Sequence, residues 1–389
     1  MTNVMAARLL KRLENIQYGT LDLHLPDGTR HHFQGTNPGP NADMQIDKWR
    51  VIFNMWMRGD VGLAWDYRNG HWETTDLPAI LTFGMMNRDI LQDFVDANFL
   101  SRIKEQILYL FRRNSVRQSR RNIHAHYDLG NDFYRLWLDS GLTYSSGLFG
   151  EDIPHNPLGL AQAQNAKYDR ILTQLGQPEG ALLEVGCGWG GFAERAIEQG
   201  HRDIKGLTLS TEQQEYAQSR LGERVDIRLE DYRHHKGTYK NIVSIEMFEA
   251  VGEEYWSDYF QMIKSNLAQN GMAVIQTITI DDALFGNYRN RTDFIRSFIF
   301  PGGLLPSFPA FRKAAKQAGL KIVDHFSFGA DYARTLLIWL KTFDAKKEDI
   351  MALGYDEKFI RLWRFYLAGC AAGFKSGQTD VMQISIKHA

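Results

Sequence analysis

The chain has 389 residues, 23% of them charged, and a net charge of −1. That length allows two domains with a large core, and the near-neutral balance argues against nucleic acid or another polyanion as a partner. Its two cysteines, Cys187 and Cys370, exclude a disulfide framework and fit a reducing cytoplasm, and no run of 18 apolar residues reads as a membrane span.

Residues 1–16 read as a short amphipathic helix without the apolar run of a signal peptide. Next, Leu21, Leu23 and Leu25 alternate with polar residues up to a turn at Pro26-Asp27-Gly28, which is a hairpin pattern. Short strands and helices broken by Gly59, Gly62 and Gly70 follow, so residues 1–100 are expected to form a small α+β domain. From Phe94 the pattern turns helical and basic, ending in FRRNSVRQSRR. Residues 101–121 are therefore expected to be a basic helical linker. Its arginines, Arg112, Arg113, Arg117, Arg120 and Arg121, either dock on anionic lipid headgroups or form a solvated helix face. No nucleic-acid reader motif accompanies them.

From residue 122 to 389 the character changes. ALLEVGC, IKGLTLS, VDIRLED, NIVSIEM and GMAVIQTITI alternate with helical stretches, the signature of an α/β domain with a doubly wound parallel sheet. The apolar stretch KFIRLWRFYLAGCAAGFK reads as a helix, and Lys358, Arg361 and Arg364 argue that it packs on this domain rather than spans a membrane.

The first strand ends in Gly186, Gly188, Gly190 and Gly191, followed by a helix. A turn so rich in glycine lets a ligand approach the backbone closely. No Gly-Lys-Ser/Thr follows it, and the spacing is G-x-G-x-G-G rather than G-x-G-x-x-G, so a triphosphate and a dinucleotide fit less well. The acid within the strand, Glu184, suits a ligand carrying an ammonium and a carboxylate but no phosphate, which S-adenosylmethionine is.

The segments LLEVGCGWGGFA, GLTLSTEQ, IVSIEMFEAVG, FIFPGGLLPS, HAHYDLGNDFYRLWLDSGLTYSSGLF and GADYARTLLIW, in this order-rich combination, resemble the cyclopropane-fatty-acyl-phospholipid synthase family of S-adenosylmethionine-dependent methyltransferases. The N-terminal residues are similar to the small lipid-associated domain found before its catalytic domain. The resemblance implies a Rossmann-like catalytic domain, S-adenosylmethionine as cofactor, and peripheral action on a phospholipid bilayer from the cytoplasm, and it leaves a homodimer open. No metal is expected.

The resemblance assigns cofactor roles to Gly186, Gly188 and Gly190 around the methionine part, to Thr208, Ser210 and Gln213 beside the ribose, and to Tyr144 and Ser145 as a closing loop. Asp231, at the end of the third strand, either accepts from the adenine amino group or caps a helix. Methyl addition to an alkene makes a carbocation, so the substrate site must exclude water. Aromatic faces can shelter such a cation. Candidates are Tyr127, Tyr134, Phe248, Phe294, Phe298, Phe300, Tyr332 and Trp339, with Tyr332 first because its motif matches a site position.

In the family a bound bicarbonate removes the proton that closes the cyclopropane ring. The matching positions here are Ser146, Glu249, Gln276, Ile278 and Tyr332. Two depart from the family pattern: Ser146 stands in place of Cys and Gln276 in place of His, and the residue after Glu249, usually His, is Ala250. Ser and Gln still donate hydrogen bonds to an anion, but Gln cannot carry charge. The expected product is therefore a cyclopropane acyl chain, with a methyl-branched or methylene product as the alternative. A small-molecule N-methyltransferase and a lipid-binding protein without catalysis are the other readings.

Overall fold

The computed structural model describes residues 2–95 and 129–389. The linker expected at 101–121, with its five arginines, and Tyr127 lie outside the described residues. The described residues group into two compact units.

The first unit holds the N-terminal residues with Asn290–Ile299 and Phe343–Gln378. Its four-stranded sheet has the order β2-β1-β3-β4, with β1 at Tyr18–His24, β2 at Arg30–Gln34, β3 at Asn37–Ile46 and β4 at Trp72–Glu73. The hairpin expected at Pro26-Asp27-Gly28 is present: β1 and β2 pair antiparallel, and Leu21, Leu23 and Leu25 are buried. Helix Arg50–Arg68 runs through Gly59, where φ +57 and ψ −132 kink it. The helix Glu357–Lys375 belongs to this unit, not to the catalytic domain as its charges had suggested. Arg361 explains the difference. Its Nε donates to the Tyr67 carbonyl at 2.5 Å, and the guanidinium lies over the Tyr67 ring at 4.1 Å. Its Nη1 pairs with Glu73 at 2.9 Å, so this planar cation docks the helix without leaving its charge unpaired.

The second unit holds residues 129–289 with Phe300–Thr342 and Thr379–Ala389. Its sheet has seven strands in the order β10-β11-β9-β8-β5-β6-β7. The expected strands are all present: β5 Leu182–Val185, β6 Ile204–Thr208, β7 Asp226–Leu229, β8 Tyr239–Ile245 and β9 Leu267–Ile280. They run parallel to one another. Two strands that the pattern of the sequence had not marked, β10 (Leu320–Ser327) and β11 (Thr379–His388), extend the sheet antiparallel beyond β9.

Both faces of this sheet are covered. Helices Pro157–Leu175, Gly191–Glu198 and Thr211–Leu221 bury one apolar face, and Trp256–Asn266 and Phe308–Gln317 bury the other. Asn156 and Ser307 cap two of these helices and are followed by proline in the first turn, which stabilises each start by about 1 kcal/mol. The sheet order reverses at β5, which lies between β8 and β6. The C-terminal ends of β5 and β8 therefore open a crevice, where doubly wound folds bind ligands.

Candidate active site

β5 leads into the glycine turn. Gly186, Gly188 and Gly190 have φ of +84, +51 and +85, a region that favours glycine. A Cβ at Gly186 would meet the Met247 side chain at 3.0 Å, and one at Gly190 would meet Leu221 at 2.8 Å. At Gly188 nothing lies within 4 Å. The outer two glycines thus let the turn pack, and the middle one faces open space. That space is a pocket lined by the turn, Tyr144, Ser145, Glu184, Thr208, Gln213, Glu230 and Glu246.

Glu184 is buried in β5, and its Oε2 has no hydrogen-bond partner. Burial pushes its carboxyl well above the usual range, with Lys167 pulling the other way. An unpartnered buried carboxylate oxygen calls for a ligand donor. Glu184 and the open cradle at Gly188 together fit the ammonium and backbone of S-adenosylmethionine.

The segment after β6 is partly self-satisfied. Thr208 Oγ1 donates to Gln213 Oε1 at 2.9 Å, and both side chains line the pocket. Ser210 instead caps helix Thr211–Leu221 by accepting from the Gln213 N–H, and it is not among the lining side chains. Asp231 is likewise engaged elsewhere. It caps the turn Tyr232–His234 and takes two hydrogen bonds from the Arg233 guanidinium at 2.7 and 2.9 Å. Burial opposes its ionisation, but the Arg233 bonds outweigh that and hold the carboxyl below its ordinary value. Its neighbour Glu230 lines the pocket, with His235 Nδ1 at 3.0 Å.

The second cluster lies at the end of β8 and centres on Glu246, which the reading of the sequence had not singled out. Its Oε1 accepts from the Ser146 N–H at 2.9 Å and from Gln276 Nε2 at 2.8 Å, and its Oε2 accepts from Tyr332 Oη at 2.5 Å. Three of the five positions expected to hold bicarbonate therefore donate to a carboxylate of the protein itself. The other two, Glu249 and Ile278, bond each other: the Ile278 N–H donates to Glu249 Oε1. The five expected residues are thus brought together, around Glu246. An acid at the C-terminal end of a strand bordering the switch point was the available signal.

Burial raises the Glu246 carboxyl, while Lys167, Tyr332, Ser146 and Gln276 pull it back. Glu249 is pushed up to about 8, first by burial and then by the charge of Glu246. Glu249 therefore keeps its proton at neutral pH, and Glu246, with four groups favouring its charged form, is the better placed of the two to ionise. Lys167 is fully buried beside them. Its Nζ donates to Ser145 Oγ at 2.6 Å and to Gln164 Oε1 at 2.7 Å. Burial brings its ammonium down to about 7, against the pull of Glu246, Asp139 and Glu184.

Aromatic rings wall this cluster. Tyr144 packs on Tyr134, Trp137 and Trp339 at centroid distances of 5.5–5.6 Å, and Trp339 reaches Tyr332 at 6.2 Å. Of the other aromatic candidates, Phe248 sits in the core against Trp256 and Tyr259. Phe294 and Phe298 pack within the first unit, on Phe365 and Trp65. Among the described residues no cluster of His, Cys, Asp and Glu could hold a metal ion, and no helix is long and apolar enough to cross a membrane.

A seven-stranded sheet of this order, with the glycine turn after β5 and an unsatisfied acid at its end, is that of an S-adenosylmethionine-dependent methyltransferase. A family model described as mycolic acid cyclopropane synthetase matches residues 114–384, and the chain belongs to that family. It is 38% identical over 342 residues to a tuberculostearic acid methyltransferase of Mycobacterium tuberculosis, covering 84% of this chain and 78% of the relative. It is 32% identical over 352 residues to the cyclopropane-fatty-acyl-phospholipid synthase of Escherichia coli, covering 90% and 88%. A mycolic acid cyclopropane synthase solved in complex with SAH and CTAB superposes with a TM-score of 0.64 at 34% identity, over 69% of this chain and 97% of that one.

Proposed function

We propose that the protein methylates the double bond of an unsaturated phospholipid acyl chain, with Glu246 in the place of a bound bicarbonate as the base, and that the product is a methylene-branched chain rather than a ring. The observation that carries this is the set of donors converging on Glu246: Ser146 N–H, Gln276 and Tyr332. Its relatives include both a tuberculostearic acid methyltransferase and a cyclopropane-fatty-acyl-phospholipid synthase, which supports an acyl chain as the acceptor.

The glycine turn, Glu184, Thr208 and Gln213 would hold S-adenosylmethionine, which supplies an electrophilic methyl group. Addition of that methyl to one alkene carbon leaves a cation on the substrate's other alkene carbon. Tyr134, Tyr144, Tyr332 and Trp339 keep water from it, since water would convert it to an alcohol. A hydride shift within the substrate moves the cation to the methylated carbon. Glu246 then takes a proton from the transferred methyl, and the electrons of that C–H bond form the new C=C. The carboxylate is oriented by three donors, so its free lone pairs are preorganised for this step. Saturation to a methyl branch would need a separate hydride donor. We further propose that the enzyme works peripherally at the membrane from the cytoplasm.

Ring closure is the second reading, favoured by the extensive match to the Escherichia coli synthase. It requires the same proton to leave before the hydride shift. The test is incubation with labelled S-adenosylmethionine and vesicles of an unsaturated phospholipid, followed by mass spectrometry of the acyl chains. The two products have equal mass, and mild hydrogenation saturates only the methylene form. Label in an acyl chain that takes up hydrogen is expected. A product that resists hydrogenation supports the ring, and label absent from the lipid rejects both.

A further inference from the structure

Gln276 turns its amide nitrogen, not its oxygen, to Glu246. An amide has a donor end and an acceptor end, so its orientation is set by its partner on the other side. That partner is Gln383 of β11, directly across the ladder from Gln276 on β9. Gln383 Nε2 donates to Gln276 Oε1 at 3.0 Å and to the Lys167 carbonyl at 3.2 Å. Gln383 Oε1 accepts from Arg170 Nη1 at 2.9 Å, and Arg170 also pairs with Asp324 at 3.2 Å. Both glutamines are completely buried.

A guanidinium can only donate, and a backbone carbonyl can only accept. Gln383 therefore has one permitted orientation, with its oxygen toward Arg170 and its amide toward Lys167 and Gln276. This leaves Gln276 one orientation in turn, with its oxygen toward Gln383 and its NH2 toward Glu246. We propose that Gln383 and Arg170 are positioning residues that fix the donor polarity of Gln276 and so keep Glu246 in its ionised, proton-accepting form. The proposal rests on the reading of Glu246 as the base. The reversed amide would aim a lone pair at the carboxylate, and a buried charge facing a lone pair takes up a proton.

The charged and titratable groups that face Glu246 are Lys167 from helix Pro157–Leu175, Glu249 from the turn after β8, and Tyr332 from helix Gly329–Ala345. All are retained in the variants below, and Gln383→Met adds and removes no charge, so a difference in its pH profile reports the relay. Gln383→Glu keeps the shape and the bond to Arg170 but cannot donate to Gln276. Gln383→Met removes both bonds, and Arg170→Met removes the anchor. Each is assayed for kcat against pH, for KM of S-adenosylmethionine and for thermal melting. Because Glu246 must be ionised to act, losing a donor raises its pKa and moves the acid limb of kcat to higher pH. For Gln383→Glu the expected shift is about one pH unit, the size of one charge-assisted hydrogen bond, with KM changed by less than about twofold. The other two variants are expected to shift in the same direction by less.

Acid limbs that superimpose on wild type in the folded variants overturn the proposal. So does a loss confined to KM. Gln276→Met combined with Gln383→Met is expected to lose no more kcat than Gln276→Met alone, and additive losses count against the relay. Glu246→Gln assayed alongside separates the two ideas. Loss of turnover in that variant with unshifted Gln383 profiles rejects the relay only, whereas retained turnover rejects Glu246 as the base.

Discussion

Replacing Glu246 with glycine should abolish turnover while leaving the fold intact. Glu246 has a φ of +50, which costs a non-glycine residue roughly 1 kcal/mol. Glycine relieves that strain but adds up to about 1 kcal/mol of unfolded-chain entropy, so the two terms nearly cancel. Glu246 itself lines the pocket, so water can enter the space it vacates and reach the three buried donors left behind. The expected change in stability is within about 1 kcal/mol, or a shift of about 4 °C or less in Tm. Turnover, by contrast, loses its base. General-base catalysis contributes about 100- to 10,000-fold, or roughly 3–5 kcal/mol of barrier. The vacated space keeps its donors, so bicarbonate or formate should restore product in a dose-dependent way, whereas wild type should be indifferent to bicarbonate. The assay is label transfer to lipid under bicarbonate-free buffer, with and without each anion, beside a melting curve. A folded Glu246→Gly protein with wild-type turnover would refute the reasoning, as would a wild-type enzyme that stalls without bicarbonate.

Glu249→Gln resembles the protonated acid already present at neutral pH, so kcat at pH 7 should stay within about threefold of wild type; a loss comparable with Glu246→Gln would show that Glu249 acts as a carboxylate. Gly188→Val should eliminate S-adenosylmethionine binding by calorimetry, because the side chain would enter the open cradle from a backbone at φ +51, and near-normal affinity in a folded variant would contradict this. Lys167→Met should change how stability varies with pH. The unfolded lysine keeps its proton up to about 10.5, and the folded one releases it near 7, so wild type gains stability relative to the variant as pH rises between these values. Denaturant titrations across that window that give a constant difference between the two proteins would argue against a neutral buried lysine.

Much of the catalytic unit is legible in the sequence because its signals are local. Strand and helix alternate within a few residues from Leu182 to Ile280, and the glycine turn marks the end of β5 by its composition alone. The buried alternation of Leu21, Leu23 and Leu25 likewise announces the first hairpin. Local signals also set limits. At the end of β7, adjacent residues point to opposite sides, so LED offers two acids; Glu230 lines the pocket, and Asp231 is held by Arg233. No local rule decides between them.

The tertiary structure decided the rest. β11 and the helix Glu357–Lys375 are neighbours in sequence yet belong to different units. An apolar helix shows which face is buried but not the surface that buries it, and Arg361 makes that choice through Tyr67. Glu246 meets Ser146 across 100 positions, Tyr332 across 86 and Gln276 across 30. The orientation of Gln276 depends in turn on Gln383, 107 residues away. A hydrogen bond forms only between groups within about 3 Å, and it is the pairing of β9 with β8 and β11, and the packing of helices and loops on that sheet, that brings such distant residues so close.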